Sequence, residues 1–408
     1  MASPGHVPTV WMIEPDGTGG VGRYSALLSA AVADAEAGWR VCLVTGRRPE
    51  PVGPHGGLEV HLAFWWPKKP STRIGAVLRR AVVALAATAT CVRTVLRIRP
   101  RRGDVLHMQG LFYPPIFAIA GVLAKLRGIR VIWTPHNTFA RPTGLSADRP
   151  SRMAMSLLAR WSDAVIVHTN HDLARMASDA PLRLKSVMIP SGPFPVGQGD
   201  RAEARDLLDE RRDATLFIAP GRMRRDKRLD LIVTAFLDAV PEADGAIRLL
   251  IAGPDDDSLT SGLRRIASGS RHGDRVRVVP EHLSQQHWTA LFHAADAVVL
   301  AYETVSESAI VRSAHAASVP VLAPRRDEFQ SILTSAEWGL AFDPDHPSHL
   351  TRALLRFASL NDEARLRLRL AIRNDETERP DWSDIARRTV TVYQQIGSYS
   401  RTPQRSSS

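Results

Sequence analysis

Short apolar runs alternate with longer amphipathic stretches along most of this chain. Each run holds about three to six residues bounded by Gly, Pro or polar residues, which is the pattern of strands buried in a parallel sheet. The amphipathic stretches between them predict helices. The predicted strands of the first half are 9–13, 40–45, 104–109, 131–134, 164–169 and 186–190. Those of the second half are 216–218, 248–252, 276–279, 297–300 and 319–323.

This alternation predicts an α/β protein built from two doubly wound parallel-sheet domains. At 408 residues the chain is too long for one ordinary core, and Ser191–Pro195, with one Gly and two Pro, is a natural linker. We therefore expect Rossmann-like domains over 1–195 and 196–380 that face each other across a ligand cleft. Within them, helices are predicted from about Arg23 to Ala35, at 74–98 and at 200–212. A disordered Ser/Arg-rich tail is expected at 401–408.

A glycine-rich loop follows the first predicted strand. Four of the six residues from 17 to 22 are Gly, and Gly17, Gly19 and Gly22 match the dinucleotide-binding pattern. Glycines before a helix allow a close backbone approach to an anion, although a tight turn would explain one or two of them. No acid ends the second strand, but Arg47 is placed to meet a 2′-phosphate, which leaves an NADP-dependent oxidoreductase open.

The second half opens with a basic turn between a strand and a helix. The apolar run 214–219 is broken by Pro220-Gly221, and Arg222 and Lys227 follow before a helical face begins at Leu229. Arginine binds phosphate oxygens bidentately, and lysine acts as a compact positive charge. The turn therefore predicts an anion site, against the alternative of an ordinary solvated loop.

The amino-acid composition limits the kinds of binding partner and the cellular compartment that are expected. A formal charge of +11 and a pI near 10.4 favour anionic partners. Only two cysteines are present, which argues against a disulfide framework or thiolate metal sites. No signal pattern is found at the N-terminus, so a cytoplasmic protein is expected. Basic residues are not interleaved with stacking aromatics, which disfavours nucleic acid as a partner.

One region suggests a membrane surface. Trp65 and Trp66 lie beside Lys68 and Lys69, and the predicted helix 74–98 has an uncharged segment, 81–92, that is too short to span a bilayer. Eight arginines flank that segment: Arg73, Arg79, Arg80, Arg93, Arg97, Arg99, Arg101 and Arg102. A basic amphipathic helix beside interfacial Trp favours a peripheral position on an anionic inner membrane face, with an ordinary core helix as the alternative.

Together these segments resemble the GT-B glycosyltransferases of the large retaining family 4. The resemblance spans about residues 9–397 and rests on the order and spacing of several modest motifs. They are Gly17 to Tyr24, Trp133 to Asn137, Ala164 to Thr169, Ile189 to Pro193, Gly221-Arg222 with Lys227, Ile251 to Pro254, Ala294 to Tyr302 and Val319 to Pro324. A last helix at 381–400 resembles the one that crosses back to the N-terminal domain in this family.

The resemblance implies a retaining, metal-independent hexosyltransferase that uses a nucleotide-diphosphate sugar as donor and needs no cofactor. The acceptor would be a glycan or lipid-linked acceptor held by the N-terminal domain. His136 matches a family position against the donor sugar, with Asn137 to orient it. The catalytic residues implied are His136, Arg222 and Lys227. The donor diphosphate would contact Gly19, Gly20, Arg222, Lys227, Ser308 and Ala309.

The chain departs from the family at its usual pair of Glu residues. Counting back from Pro320, those positions hold Val305 and Ser313, so the usual ribose-binding carboxylate is missing. Backbone N–H groups at Ser308-Ala309, a predicted helix start, are left to hold the diphosphate. Thr304 and Glu307 have capping-box spacing, which makes Glu307 a helix cap.

We interpret the other charged residues and the histidines near these motifs as structural or surface residues. Glu303 is interpreted as a surface acid, and His107, His168 and His171 as structural. Arg365, Arg369 and Arg373 recur every four residues and predict a solvated helix face. The missing Glu pair also leaves a non-catalytic sugar-nucleotide binder open beside the oxidoreductase.

Overall fold

The computed structural model describes residues 7–35, 38–48, 56–67, 73–99, 101, 103–110, 114–136, 149–177, 180–192, 194–255, 258–303, 308–326, 329, 338–374 and 381–398. The chain divides into two compact units. The N-terminal unit comprises 1–192 together with 380–408, and the C-terminal unit comprises 193–379.

The N-terminal unit is built on a parallel sheet of seven described strands. They are β1 (Thr9–Ile13), β2 (Arg40–Thr45), β3 (Leu58–Leu62), β4 (Val105–Gln109), β5 (Arg130–Thr134), β6 (Ala164–Val167) and β7 (Ser186–Met188). Their order is β3-β2-β1-β4-β5-β6-β7. The helices are α1 (Gly19–Asp34), α2 (Arg73–Arg97), α3 (Pro114–Leu126), α4 (Arg149–Trp161), α5 (Asn170–Ala177) and α6 (Ala180–Arg183), joined by the C-terminal helix, Trp382–Ser398.

The C-terminal unit repeats the plan with six described strands. They are β8 (Thr215–Pro220), β9 (Ile247–Ala252), β10 (Val276–Val279), β11 (Ala297–Val299), β12 (Val321–Pro324) and β13 (Gly339–Phe342), in the order β10-β9-β8-β11-β12-β13. The helices are α7 (Arg201–Leu207), α8 (Leu229–Ala239), α9 (Thr260–Ser268), α10 (Gln285–Ala294), α11 (Ala309–Ala316), α12 (Pro347–Ala358) and α13 (Asp362–Asn374). Short 3-10 turns cover Arg225–Lys227, Val240–Glu242 and Gly273–Arg275.

Both sheets reverse their strand order at one point. The reversal lies between β1 and β4 in the N-terminal unit and between β8 and β11 in the C-terminal unit, and the pairings there are parallel. Ligands of doubly wound sheets bind outside the carboxyl ends of the strands at such a point. The predicted pair of Rossmann-like parallel-sheet domains is therefore confirmed.

The central strands are apolar along their whole length because they are covered on both faces. Every residue of β4 and of β8 is buried. In the C-terminal unit one core cluster contains Phe217 and Phe236, and a second contains Ile218 and Phe292. Neighbouring residues on β8 thus point into different clusters, as the alternation of side chains along a strand requires.

The largest differences from the sequence-based prediction are two unpredicted strands and the bounds of two helices. The strands β3 and β13 were not predicted, since Leu58–Leu62 alternates with Glu and His at a sheet edge and Gly339–Phe342 is short and begins with Gly. Helix α1 begins at Gly19 instead of Arg23, since glycine is a poor helix former and hides a helix start. Helix α7 ends at Leu207 instead of Arg212, and Asp209 has a left-handed φ of 53°.

The predicted solvated arginine face of α13 was wrong for two of its three members. Arg365 donates to Thr215 Oγ1 at 3.0 Å and lies 3.7 Å from Asp296 Oδ1. Arg369 donates to the carbonyl of Ala295. The four-residue spacing gave the correct face of the helix, but that face lies against the body of the unit.

Candidate active site

Two glycines lie side by side at the carboxyl ends of β8 and β9. Gly221 has φ 94° and Gly253 has φ 144°, values that side chains rarely tolerate. A Cβ on Gly253 would fall 2.4 Å from the Gly221 carbonyl oxygen. One on Gly221 would fall 3.0 Å from both Lys227 Nζ and Ile310 Cδ1. Gly221 is thus the point where the basic turn and the start of α11 converge.

Lys227 is held close to the end of β8. Its side chain is buried, with only 6% of the residue exposed. The ammonium donates to the Pro220 carbonyl at 3.4 Å and lies 5.4 Å from the centre of the buried Tyr302 ring. Arg222 follows Gly221 directly and is half-buried. The predicted cations therefore lie at the switch point of the second sheet, where their charge is poorly screened by water.

The turn that carries Lys227 is fixed by charged contacts on its outer side. Arg224 makes two hydrogen bonds with the Asp226 carboxylate, at 3.1 and 3.0 Å. The backbone N–H of Glu303 donates to the Asp226 carbonyl at 2.9 Å, and the Glu303 carboxylate lies 3.4 Å from Arg228. Glu303 is therefore a half-exposed structural acid, which agrees with its interpretation as a surface residue.

The helix start predicted at Ser308-Ala309 is present. Ser308 is the N-cap of α11, its hydroxyl accepts from the Val311 N–H at 3.4 Å, and the first helical turn contains no acidic residue. Ser313, at the second of the two positions that hold Glu in the family, is fully buried on this helix. Thr304, Val305 and Glu307 lie outside the described residues.

In the N-terminal unit, the glycine-rich loop divides into two kinds of glycine. A Cβ on Gly17 would meet the Arg47 carbonyl oxygen at 2.2 Å, and one on Gly22 would meet the Gly17 carbonyl carbon at 2.4 Å. These two are required by backbone packing. Gly19 and Gly20 are instead exposed in the first turn of α1.

The Thr18 hydroxyl donates to Asp16 and does not cap the helix α1. The first turn of α1 also carries no acidic side chain. Backbone N–H groups at Gly19 and Gly20 are therefore presented at the surface, at the switch point of the first sheet, in the position predicted for anion contact.

A buried carboxylate lies under this loop. Glu14 is 4% exposed, and its carboxylate accepts from the Gly17 N–H at 2.5 Å, the Asp16 N–H at 3.2 Å and Thr45 Oγ1 at 3.4 Å. Burial is the largest influence and raises the pKa of Glu14 to about 7, although the backbone hydrogen bonds from Gly17 and Asp16 oppose it. Glu14 thus holds the loop by hydrogen bonds and changes charge near neutral pH.

His136, two residues after the end of β5, has an unusual backbone conformation. Its φ of 58° lies in the left-handed region, and its ring nitrogens contact Gln109 and His168. The ring packs edge-on against Tyr24, with 4.5 Å between the ring centres. Burial holds the pKa of His136 well below its usual value, and the neighbouring histidines lower it further, so the imidazole is neutral. Asn137, predicted to orient it, lies outside the described residues.

Comparison with known proteins places this geometry in a family. The model of the glycosyl transferase 4-like domain matches residues 19–192, and the model of glycosyl transferases group 1 matches residues 214–359. Together they cover most of the chain. The chain belongs to the family 4 glycosyltransferases, which have the GT-B fold.

Relatives of this glycosyltransferase agree with that assignment. It is 24% identical over 296 residues to D-inositol 3-phosphate glycosyltransferase 1 of Catenulispora acidiphila, covering 67% of this chain and 69% of that protein. Sucrose-phosphate synthase of Thermosynechococcus elongatus superimposes with a TM-score of 0.72 at 19% identity, covering 96% of this chain and all of that one. An Anabaena protein whose structure was solved with UDP and glucose superimposes with a TM-score of 0.66 at 14% identity. The match covers 95% of this chain and 98% of that one.

Sequence reasoning missed several residues that contact the predicted site residues or the segments and side chains that hold them. Glu14, Gln109, Tyr302 and Tyr393 were not singled out. Glu14 had a signal, since it is a charge that ends an apolar strand directly before the glycine loop. Gln109 also had one, because it shares with His107 the same face of β4 at a spacing of two. Tyr393 had none: the resemblance placed the last helix against the N-terminal domain, but nothing in the sequence indicated that Tyr393 would contact His107 of β4.

The helix α2 presents two different faces. Val83, Ala87, Cys91 and Val95 form a stripe that packs into the core. The opposite stripe is apolar and exposed, with Leu78 64%, Val82 39%, Leu85 72% and Leu96 52% accessible. No described helix is long and apolar enough to cross a membrane.

The two neighbouring tryptophans behave differently. Trp65 is 59% exposed, whereas the Trp66 indole N–H donates to the Pro15 carbonyl at 2.9 Å beside the glycine loop. Arg79 donates to the Pro67 carbonyl at 2.9 Å. The expectation of interfacial Trp therefore fits Trp65, and Trp66 is part of the protein's own packing. Lys68 and Lys69 lie outside the described residues.

Among the described side chains, no group of three or more His, Cys, Asp or Glu is arranged to hold a metal ion. The two cysteines, Cys42 and Cys91, are buried and free, and burial raises the pKa of each thiol to about 12. Both are therefore protonated core residues at neutral pH.

Proposed function

We propose that this glycosyltransferase moves a hexose, with retention of anomeric configuration and without a required metal, from a nucleotide-diphosphate sugar to a glycan or lipid-linked acceptor at a membrane surface. The observation that carries the donor half of this proposal is the convergence at Gly221. There the buried Lys227, the adjacent Arg222 and the N-terminus of α11 lie at one switch point.

Such a convergence suits a diphosphate leaving group. Negative charge grows on the diphosphate as its bond to the anomeric carbon breaks, and fixed cations stabilise that charge most where water is excluded. Lys227 supplies charge at the strand end, and Arg222 supplies a second cation able to bind two oxygens. Backbone N–H groups after Ser308 add donors without a counter-charge. Gly221 and Gly253 give the diphosphate a surface free of side chains.

The Anabaena neighbour, solved with UDP and glucose, supports a nucleoside diphosphate as the leaving group. In this chain Ser313 replaces the family's ribose-binding carboxylate, so the ribose contacts differ and the base is left to experiment. We assign Gly19 and Gly20 to contact the donor diphosphate, and His136 to lie against its sugar.

Calorimetric titration separates the donor hypothesis from its rivals. The protein should bind UDP, GDP or ADP, and Lys227→Ala should weaken that binding at least tenfold. Tight NADPH binding that survives Lys227→Ala but is lost in Arg47→Ala would favour the oxidoreductase. Nucleotide binding without sugar transfer to any offered acceptor would favour a non-catalytic binder. Where transfer is observed, NMR of the product gives its anomeric configuration and tests retention.

The acceptor half of the proposal rests on the exposed stripe of α2. Leu78, Val82 and Leu85 are separated by four and three residues, so they lie on one face of the helix. Trp65, which precedes this helix in the chain, is exposed as well. The exposed Arg93 and Arg97 follow on the same helix, and cations near an anionic surface contribute about 1 kcal/mol each. This arrangement favours contact with anionic lipid, which would bring a lipid-linked acceptor to the N-terminal unit.

Vesicle sedimentation tests this half independently. The wild type should pellet with anionic vesicles, less so at high salt, and Leu78, Val82 and Leu85 changed together to Ser should stay in solution. A matched control changes Leu366 and Leu370 of α13, which are 55% and 40% exposed, to Ser. If wild type and the α2 variant pellet equally, the exposed stripe of α2 does not carry membrane binding. If wild type stays in solution with anionic vesicles at low salt, the membrane half of the proposal is contradicted and a soluble acceptor is favoured.

A further inference from the structure

Five polar side chains form a continuous chain in the N-terminal unit; four of them are buried and His136 is partly buried. Tyr393 on the C-terminal helix contacts His107 Nδ1 at 2.7 Å, and His107 Nε2 lies 3.2 Å from the Gln109 amide. The same amide is 2.8 Å from His136 Nε2. His136 Nδ1 is 3.2 Å from His168 Nε2, and His168 Nδ1 is 2.8 Å from the Ile189 carbonyl. The predicted site histidine is thus connected to the last helix of the chain.

The protons of this chain can be assigned from its closed end. The Ile189 carbonyl can only accept, so His168 carries a proton on Nδ1, and the neutral form of the ring then presents a lone pair at Nε2. His136 must then donate from Nδ1. Because burial keeps His136 neutral, its Nε2 also carries a lone pair and needs a donor.

That donor is the Gln109 amide. The structure sets Gln109 Oε1 toward His136 and Nε2 toward His107. The two ends of an amide are distinguished only by their hydrogen-bond partners. The protons assigned above require the opposite orientation, so we place the NH₂ toward His136 and the oxygen toward His107. His107 then donates from Nε2 to the amide oxygen and to Thr134 Oγ1, which lies at 2.8 Å. Its Nδ1 accepts from the Tyr393 hydroxyl. Burial lowers the pKa of His107 to about 3 and raises that of Tyr393 above its usual range, so both keep these forms at neutral pH.

Every donor in this assignment points the same way, from Tyr393 toward Ile189. Within the chain, each group donates one proton to the next member and accepts one from the member before it. Reversing the tautomer or the amide orientation of a single member would therefore place two donors or two lone pairs face to face. Such a mismatch leaves a buried donor or acceptor without a hydrogen bond, which is costly. The orientation of each member therefore depends on the members beside it.

We propose that Tyr393 is a positioning residue that fixes His136 in its Nδ1–H tautomer, acting through His107 and Gln109. The proposal rests on the proposed function only in that His136 faces the donor sugar there. It makes the C-terminal helix a determinant of site chemistry in addition to its packing role. A second contact links the C-terminal helix to the same histidines. Its Trp382 ring packs against Tyr24, and the Tyr24 ring lies against His136 and His168.

The test compares two changes on one helix. Tyr393→Phe removes the hydroxyl and keeps the ring that packs on Trp39. Thr389→Val is the matched control, since Thr389 is one turn earlier and fully buried, and its hydroxyl has no hydrogen-bond partner among the described residues. Nitrogen-15 NMR of the histidine rings in the full chain reports the tautomer directly, and His136→Asn assigns the signal.

We expect a single Nδ1–H signal for His136 in the wild type and in Thr389→Val, and a mixture of tautomers in Tyr393→Phe. A single unchanged tautomer in Tyr393→Phe would overturn the proposal, as would an Nε2–H tautomer in the wild type. These outcomes do not depend on any activity, so they are decided even if no donor is turned over.

Where transfer is measured, Tyr393→Phe should lower kcat about threefold to tenfold, with little change in the donor KM, because one hydrogen bond is lost from the chain. Thr389→Val should leave both constants unchanged at equal melting temperature. Equal losses of kcat in the two variants would show that the helix acts through packing alone.

Discussion

At the residue scale, glycines of the same loop serve two different structural requirements. Gly17 and Gly22 leave room for the protein's own backbone, whereas Gly19 and Gly20 lie exposed at the start of α1. The resemblance implied that Gly19 and Gly20 contact the donor diphosphate, but the sequence did not show why Gly17 and Gly22 must also be glycine. Space around a glycine is set by segments distant in the chain, such as Arg47.

Substitutions should separate the two kinds of glycine. Gly22→Ala places a methyl group 2.4 Å from the Gly17 backbone and should lower the free energy of unfolding by about 1–3 kcal/mol. Gly20→Val should keep near-native stability and lose transfer activity, because a branched side chain blocks the helix N-terminus. Denaturant unfolding and a transfer assay measure both. Wild-type transfer by a folded Gly20→Val protein would make the loop an ordinary turn.

Glu14 gives the loop a dependence on pH. Its pKa is raised to about 7 from an ordinary value of 4.5, so the folded protein binds its proton more tightly than the unfolded chain. This contribution to stability is fully present below about pH 4.5 and is lost as pH rises through about 7. The shift corresponds to on the order of 3 kcal/mol.

Glu14→Gln removes this ionisation. The free energy of unfolding of the wild type, relative to the variant, should therefore fall between pH 5 and pH 8 and stay level at higher pH. Parallel denaturation series of the two proteins measure the difference. A constant difference across that range would show that Glu14 does not titrate there.

At the element scale, one buried carboxylate joins four segments of the C-terminal unit. Asp296, which directly precedes β11, lies 2.7 Å from both Arg201 and Arg205 and accepts from the backbone N–H of Leu216. Arg365 of α13 lies nearby. Arg205 is 1% exposed, so its charge depends on this partner.

Removing that partner should be costly. Asp296→Ala leaves buried guanidinium groups without their carboxylate and should lower the free energy of unfolding by about 3–5 kcal/mol. The control is Asp206→Ala, whose carboxylate pairs with Arg212 in solvent, and it should have little effect. Calorimetric unfolding of both variants decides the point. Equal melting temperatures would mean that the Asp296 cluster is dispensable.

Strands were predicted correctly from the sequence where hydrophobic residues formed an unbroken run. The apolar runs at β1, β4, β5 and β8 gave strands within two residues of those observed. Prediction was incomplete where tertiary context decides, as at the edge strand β3, whose polar positions alternate. It was also wrong for Arg365 and Arg369, because a periodic row of charges indicates a helix face and not what covers it.

At the scale of the whole molecule, both units carry the same strand plan and place the segments predicted to bind the donor at the reversal of strand order. The family, the fold and the positions of Arg222, Lys227 and Ser308 followed from motif order along the chain. The hydrogen-bond chain from Tyr393 to His136 did not, because its members are separated by up to 286 positions in sequence. Only the folded unit brings them together.

The central claim is that the cations beside Gly221 stabilise a departing nucleoside diphosphate. The measurement that tests it most directly is the rate of nucleoside diphosphate release from UDP-, GDP- and ADP-sugars. Arg222→Ala and Lys227→Ala should each lose on the order of 2–4 kcal/mol of transition-state stabilisation, a reduction of about 30-fold to 1000-fold. The control Arg225→Ala removes an exposed cation from the same turn and should release diphosphate at the wild-type rate. Release at the wild-type rate by both Arg222→Ala and Lys227→Ala would contradict the account.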